Sequence, residues 1–384
     1  MDVAEGVADF VDQHGQSAGS VAAEIDGQRV EGVTEQPRIA QQIDLTARKI
    51  DALFGAMLPP LVQLVQAIAA ARPVSRKILQ QPYPFEGQHE FSRYLLEQIG
   101  FDFSRGRLDQ SAHPFCSSST SSDVRMTDRL DESLVTMSIF GSLHEGGHGL
   151  YEQGSPMEWN STPLSGGCSL GVHESQSRMW ENFVGRSLPF WQANFPRMRG
   201  IFPQQLWGYN AEDMFRAVNY VEPSFIRVEA DEVTYTLHIV MRYELERDLI
   251  TKALDPADLP EAWNERMQKT LGICPPNDAL GCLQDIHWSD GLIGYFPTYS
   301  IGNVVAAQLW RKIRKDMPHL DEDIARGDNL GLLNWLRHKV HRFGSSVLPE
   351  EALFEATEGE ELDSRAFVDY LWDKYSGLYE IQRP

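Results

Sequence analysis

The sequence predicts a mostly α-helical protein: a single large helical domain over residues 38–384, with a deep groove and a small β component near residues 101–129. Apolar residues recur at helical spacing through most of the chain. One Ser-, Asp- and Gly-rich stretch breaks that habit and shows short alternating pieces. Residues 38–384 contain no internal repeat, no heptad array and no low-complexity linker, so one unit is the simplest account of a length that would allow two or three domains.

Residues 1–37 are polar, contain Gly and Ser, and are weakly periodic, which sets them apart as a variable N-terminal segment. From Ile43 to Ala71 the spacing is helical, with a break expected at Pro59-Pro60 because proline removes a donor and clashes with the preceding turn. Phe91 to Ile99 reads as a helix closed by Gly100. The β component follows. Helical patterns then cover 131–153, 174–186, 229–253, 260–271, 301–314 and 366–378, several of them separated by Pro223, Pro256, Pro275-Pro276 and Pro297. Asp131 is placed to cap the first of these, and Gly154 follows its end.

Of 384 residues, 42% are hydrophobic, with 9 Trp, 12 Tyr and 18 Phe, which marks a folded chain. A formal charge of −21 argues against nucleic acid or an anionic membrane as a partner held by simple attraction. Cys116, Cys168, Cys274 and Cys282 show no C-x-x-C spacing and read as reduced thiols of a cytoplasmic protein. The start, Met-Asp-Val-Ala-Glu-Gly, lacks a basic region followed by an apolar one, so no secretion signal is expected. Residues 56–71 are the best membrane candidate, and Pro59-Pro60, Gln63 and Gln66 interrupt them.

His144-Glu145-Gly146-Gly147-His148 carries the chemistry. On a helix, positions i and i+4 project from one face, so the two histidines can grip one ion. Glu145 lies about 100° further round, where it can reach a metal-bound water without being a ligand. Zinc lowers the pKa of such a water to about 7, and a carboxylate can then take its proton for attack on a peptide carbonyl. With 11 histidines the pattern arises by chance in roughly a few per cent of such chains, mostly on polar surface helices. Here Leu134, Val135, Met137, Ile139, Phe140 and Leu143 precede it, so the helix is largely buried. Gly146, Gly147 and Gly149 each cost about 1 kcal/mol against alanine in a helix, which is tolerated where another backbone or a substrate comes close.

A catalytic zinc takes three protein ligands and keeps one open position. The third ligand is Glu174 or His173, in Gly171-Val172-His173-Glu174-Ser175-Gln176, and spacing alone favours neither. A second helix beginning near Glu174 would lie beside the first.

Six ordered stretches carry a closer resemblance: His113-Pro114-Phe115; Asp123-x-Arg125-x-Thr127; His144-Glu145-x-x-His148; His173-Glu174-Ser175; Ile226-Arg227-x-x-Ala230-Asp231; and Gly281-x-x-Gln284-Asp285-x-His287-Trp288. Together they resemble the carboxypeptidase Taq family of metallocarboxypeptidases, over roughly residues 40–384. The resemblance implies that His144, His148 and Glu174 bind one divalent metal ion, zinc first, with cobalt or manganese suited to the same ligands. It also implies that Glu145 is general base and then acid, that the substrates are peptides with a free C-terminus, and that the protein forms a homodimer. Members of the family usually carry more than a hundred additional helical residues before His-Pro-Phe. This chain has 112 residues there, which reads as a shortened N-terminal region. Met126, Asp128 and Cys116 depart from the family's usual residues without touching the chemistry.

A carboxypeptidase must recognise a free carboxylate, and a planar guanidinium does so with two parallel hydrogen bonds. Arg227 is the first choice and Arg125 the second; the structural alternative for Arg227 is an ion pair with Glu229 or Asp231. The resemblance implies that His113, in the His-Pro-Phe stretch, is one of the substrate-binding residues. His238, His287, Tyr295 and Tyr299 are candidate donors to a substrate oxygen, with a hydrogen-bonded core role as the alternative. Asp285 is placed to orient a histidine, and Trp288 to lie in the core. His338 and His341, near Arg337 and Arg342, read as a solvated basic helix face. A dipeptidase or oligopeptidase of similar architecture and a silent peptide-binding protein are the rival readings.

Overall fold

The computed structural model describes residues 45–383; the segment 1–37 and the expected domain start at 38 lie outside them. Thirteen α-helices and one three-stranded sheet are present among the described residues. The helices are α1 Ala47–Ala70, α2 Phe85–Gln98, α3 Val135–Gly154, α4 Leu170–Arg178, α5 Leu188–Ile201, α6 Ala211–Val218, α7 Tyr235–Ile250, α8 Leu259–Leu271, α9 Pro297–Asp316, α10 Leu320–Ala325, α11 Leu330–Lys339, α12 Pro349–Thr357 and α13 Arg365–Tyr379. By contacts the chain divides into two compact units. One comprises the residues up to Val65 with Val221–Ser300, and the other Gln66–Tyr220 with Ile301–Pro384.

Within the first unit, α7 is buried nearly all round, from Tyr235, Leu237, Ile239 and Val240 to Leu245 and Leu249. A helix without a polar face belongs in a core. Against it lies α8, which opens with Pro260 in its first turn and ends at Gly272, in the left-handed conformation with φ 75°. The start of α1 contributes Ile50, Phe54, Met57, Leu61 and Leu64, all buried. The expected break at Pro59-Pro60 does not occur: α1 runs through both prolines. They deprive the carbonyls of Gly55 and Ala56 of their helical donors, but both residues are exposed, so water can serve those carbonyls while the buried stripe holds the two halves in line. Among the described residues α1 is also the one helix long and apolar enough to cross a membrane, with 28% of its most apolar window buried.

The second unit holds the sheet, β1 Gly106–Gln110, β2 Cys116–Thr120 and β3 Asp123–Asp128, in the order β1-β3-β2. β3 pairs parallel to β1 (Leu108 with Met126) and antiparallel to β2 (Cys116 with Met126). Val124 and Met126 of the central strand point inward, and α3 packs over β2 and β3. Helices α2 and α4 flank α3. Asp131 does not cap α3. Its carboxylate and carbonyl close the turn before it, taking Ser133 N and Leu134 N, and the helix starts at Val135. Ser169 caps α4, its Oγ accepting from Val172 N at 3.1 Å. Beyond Arg178 the chain continues as one π-helical stretch, Met179–Val184, before α5.

Candidate metal centre

Two helices supply the centre. α3 presents His144 and His148 from successive turns, their rings 4.8 Å apart at an angle of 84°. α4 presents Glu174 from beside them. The helices come this close because residue 147 is glycine: a Cβ there would stand 2.4 Å from the carbonyl oxygen of Gln176 and 2.6 Å from Cα of Ser177. On the far side Gly302 of α9 leaves room for Glu174, whose Cγ would meet a Cβ at 2.5 Å. The glycines within the His-Glu-x-x-His helix therefore answer, at position 147, to the approach of another backbone.

The Oε2 of Glu174 lies 3.6 Å from Nε2 of His144 and 3.5 Å from Nε2 of His148. Donor atoms arranged tetrahedrally about an ion with bonds near 2.0–2.1 Å are about 3.3 Å apart; the two distances to Glu174 are within a few tenths of an ångström of this, and all three atoms lie within 4.8 Å of one another. Among the described residues they form the one cluster with metal-ligand geometry. Two nitrogens and one carboxylate oxygen suit zinc and its neighbours.

Partners behind the ligands fix their orientation. Nδ1 of His144 meets Glu181 Oε2 at 2.8 Å, which leaves Nε2 as the lone-pair nitrogen facing the centre. Nδ1 of His148 meets Nδ1 of His173 at 2.6 Å, and Nε2 of His173 meets Glu152 Oε1 at 2.7 Å. With Nε2 of His148 free to ligate, its Nδ1–H donates to His173, whose Nε2–H donates to Glu152. Ser118 Oγ donates to the other oxygen of Glu152 at 2.7 Å. Both nitrogens of His173 are thus engaged away from the centre. Arg178 spans the carboxylates, its Nε on Glu174 Oε1 at 2.7 Å and a terminal nitrogen on Glu181 Oε2 at 3.0 Å.

Burial alone would raise the Glu174 carboxyl, but Arg178 and the two imidazoles overcome it and hold it well below the usual range. Glu181 is brought to about 2 in the same way, against its burial, by Arg178 and His144. Burial, with the neighbouring imidazoles, drops His148 to about 3, so it is neutral and able to ligate. His144 is likewise pushed down by burial, yet Glu174 and Glu181 outweigh this and raise it. A cation at the centre takes the place of that proton. Glu145 is different. Only 7% exposed, its carboxyl is pushed up to about 7, chiefly by burial. Near it, Cys116 is held as the thiol by burial and by the charges of Glu145 and Glu152.

The remaining candidates fall in several places. His113 and Arg125 belong to the same unit as the centre. His113 is exposed, its carbonyl accepting from Ser111 Oγ at 2.5 Å. Arg125 faces solvent from β3, gripped by Asp123 through two bonds of 2.9 Å. Arg227 lies buried in the other unit and pairs with neither Glu229 nor Asp231. Its Nε and one terminal nitrogen donate to Asp285 Oδ1 at 2.9 and 2.7 Å, and the other terminal nitrogen donates to Tyr235 Oη at 3.0 Å. Asp285 bridges two arginines and does not hold a histidine: Arg242 Nε donates to its Oδ2 at 2.6 Å, whereas His287 Nδ1 stays 3.8 Å away. The second arginine takes the place expected of an imidazole. His287 Nε2 meets Tyr299 Oη at 2.8 Å, and the rings of Tyr295 and Phe296 lie 5.4 and 4.4 Å from it. His238 is fully buried on α7, its Nδ1 3.3 Å from a terminal nitrogen of Arg242 and its ring beside the backbone of Ser224. Burial and Arg242 drive His238 well below the usual range, and burial with Arg227 brings His287 to about 4, so both are neutral.

Trp288 is in the core, its Nε1 donating to Glu246 at 2.7 Å. His338 is exposed, but His341 is fully buried, its Nε2 3.0 Å from Gln176 Oε1. The basic-face reading holds for His338 only, because the chain leaves α11 before His341 and turns it inward. Sequence reasoning missed Glu152, Arg178, Glu181 and Arg242. Their signal was charge at helical offsets on otherwise buried helices: Arg178 and Glu181 stand four and seven residues beyond Glu174, and Arg242 four beyond His238.

Residues 40–375 match the family model described as carboxypeptidase Taq (M32) metallopeptidase. The thermostable carboxypeptidase 1 of Thermus thermophilus is 47% identical over 87% of this chain and 66% of its own length, and carboxypeptidase 1 of Bacillus subtilis is 42% identical over 87% and 67%. The crystal structure of the M32 carboxypeptidase from Deinococcus radiodurans R1 superposes with a TM-score of 0.91 at 39% identity, over 98% of this chain and 74% of that one. The chain thus spans about two thirds of the length of the curated relatives it matches. With the family's model matched across most of its length and a helical fold shared with a solved member, this chain belongs to the carboxypeptidase Taq (M32) metallopeptidases.

Proposed function

We propose that the protein is a metal-dependent carboxypeptidase that releases single amino acids from the C-termini of peptides. The observation that carries this reading is the convergence of His144 Nε2, His148 Nε2 and Glu174 Oε2, beside a buried, non-ligating Glu145 whose carboxyl titrates near neutrality. His144, His148 and Glu174 would hold one divalent ion, zinc first and cobalt or manganese as alternatives. When bound, such an ion polarises the peptide carbonyl and acidifies a neighbouring water. Glu145 then takes a proton from the attacking water as its oxygen bonds to the carbonyl carbon, and returns that proton to the amine as the C–N bond breaks. Glu181, His173 and Glu152 hold the ligand rings in the required tautomers.

For the free C-terminus we assign Arg227. Three of its five N–H donors are engaged with Asp285 and Tyr235, which leaves two for a substrate carboxylate. Arg125, already gripped by Asp123 in solvent, is the weaker choice. His238, His287, Tyr295 and Tyr299 are the candidate donors to a substrate oxygen.

Glu145→Gln tests the reading. The amide cannot accept the proton, so metal content should stay near wild type while turnover of a blocked dipeptide acid falls by orders of magnitude; near-normal turnover would sink the mechanism. Digestion of a peptide ladder read by mass spectrometry separates single-residue release from release of dipeptides or longer fragments.

A further inference from the structure

Arg227, Asp285 and Arg242 form a buried triad in which each arginine takes one oxygen of the shared carboxylate. Arg227 is 5% exposed and Arg242 not at all. Two guanidiniums against one carboxylate leave the triad with a single uncompensated positive charge. Apart from Asp285, none of the groups described in contact with the two guanidiniums carries a negative charge. His238 and His287 are neutral, Trp263 lies 4.6 Å from the Arg242 guanidinium, and Glu246, one turn along α7, is turned to Trp288 Nε1 and Gly294 N. Burying a charge without a counter-ion is costly, and burial pulls Arg242 itself down to about 10. Arg242 is tied to Asp285 and to its own helix, and its other terminal nitrogen is buried without a partner. Its Nε is on Asp285, and one terminal nitrogen is on the carbonyl of His238 at 3.0 Å and near Nδ1 of the same residue at 3.3 Å.

We propose that Arg242 is a positioning residue: through Asp285 it fixes the Arg227 guanidinium, and the charge it adds makes the triad complete only when a peptide's terminal carboxylate joins it. This rests on Arg227 as the group that takes that carboxylate. Arg242 itself touches no substrate. Its contribution is geometric, since Asp285 held at Oδ2 offers Arg227 only Oδ1 and leaves the outer donors of Arg227 unspent. It is also electrostatic. Without Arg242 the remaining Arg–Asp pair is neutral and has no deficit for a substrate to fill.

The test uses full-length, metal-loaded protein with a blocked dipeptide as free acid and as C-terminal amide. In Arg242→Met, KM for the acid should rise about tenfold or more with kcat changed far less, and the preference for acid over amide should shrink by the same factor. Metal content should match wild type. A purely structural arginine predicts otherwise: a lower Tm with wild-type KM and acid preference, and that result overturns the proposal. Should Arg242→Met fail to fold, Arg242→Lys decides. It keeps the charge but cannot hold Asp285 and the His238 carbonyl together, so KM for the acid should rise at least about threefold, and a wild-type KM overturns the proposal. Arg227→Met serves as the control. If it leaves the acid preference intact, the carboxylate is read elsewhere, and the assignment of Arg227 fails together with the proposal.

Discussion

At the scale of single residues, the two glutamates and the histidine near the centre should separate by role. Glu174→Ala removes one of three ligand atoms, and two histidines alone make a weak site, so metal and activity should be lost together. His173→Ala leaves all three ligand atoms in place and removes only the tie between His148 and Glu152. Its metal affinity should fall about 10- to 100-fold, with activity restored by added ion. Metal titration of both variants checks the pair; if only His173→Ala stripped the ion, the assignments would be exchanged. Helical spacing and an ordered set of motifs mark His144, Glu145, His148 and Glu174 in the sequence, and the structure brings the two histidines and Glu174 together. Glu152 and Glu181 were not legible there. Their roles depend on which ring nitrogen each one meets, and no linear pattern encodes that.

At the scale of elements, the decisive contact is between α3 and α4. Gly147→Ala gains about 1 kcal/mol of helix propensity but drives a methyl into the main chain of Gln176 and Ser177, which cannot swing aside as a side chain would. Overpacking of this kind costs about 1–3 kcal/mol, so the variant should lower Tm and weaken metal binding at once. Gly377→Ala in α13, where a Cβ meets nothing within 4 Å, should stabilise by up to about 1 kcal/mol and leave the metal alone. Thermal melts with and without added ion compare them. Long amphipathic or buried helices such as α3, α7 and α9 were legible from apolar spacing. α5, α6, α10, α11 and α12 were not, being short or, in α5, carrying Pro196. Tertiary packing holds such segments in helical form where local pattern is too brief to show it.

At the scale of the molecule, stability should depend on pH through groups outside the candidate ligand set. The Glu246 carboxyl, buried and accepting from Trp288 and Gly294, is pushed up from 4.5 to about 7 by burial. A carboxyl raised in the folded state binds more protons folded than unfolded, so its contribution is fully present below about 4.5 and is lost as pH rises through 7, by about 3 kcal/mol. Asp285 acts in the opposite sense. Burial would raise it, but Arg242 and Arg227 hold it at about 2, so its contribution is present above 3.8 and lost as pH falls toward 2. A net charge of −21 at pH 7 adds self-repulsion on the alkaline side. Tm should therefore peak near pH 4–5, and Glu246→Gln should flatten its decline between pH 5 and 8. A decline of unchanged slope in that variant would exclude Glu246 as a source. The charge balance was plain in the sequence, whereas the burial that perturbs Glu246 and Asp285 was not.

The three candidate ligands come from two helices, with 25 residues between His148 and Glu174 along the chain, and they meet only when α3 and α4 are docked. The unfolded chain offers the ion no comparable grip, so the ion acts as a clasp whose strength is set from outside the molecule. Each tenfold rise in free ion above the dissociation constant should add about 1.4 kcal/mol to stability. A plot of Tm against the logarithm of free ion should be flat below the dissociation constant and climb above it, and a chelator should retrace it downward. How long a molecule lasts in solution would then follow the metal supply around it, and starvation for the ion would remove the protein along with its activity.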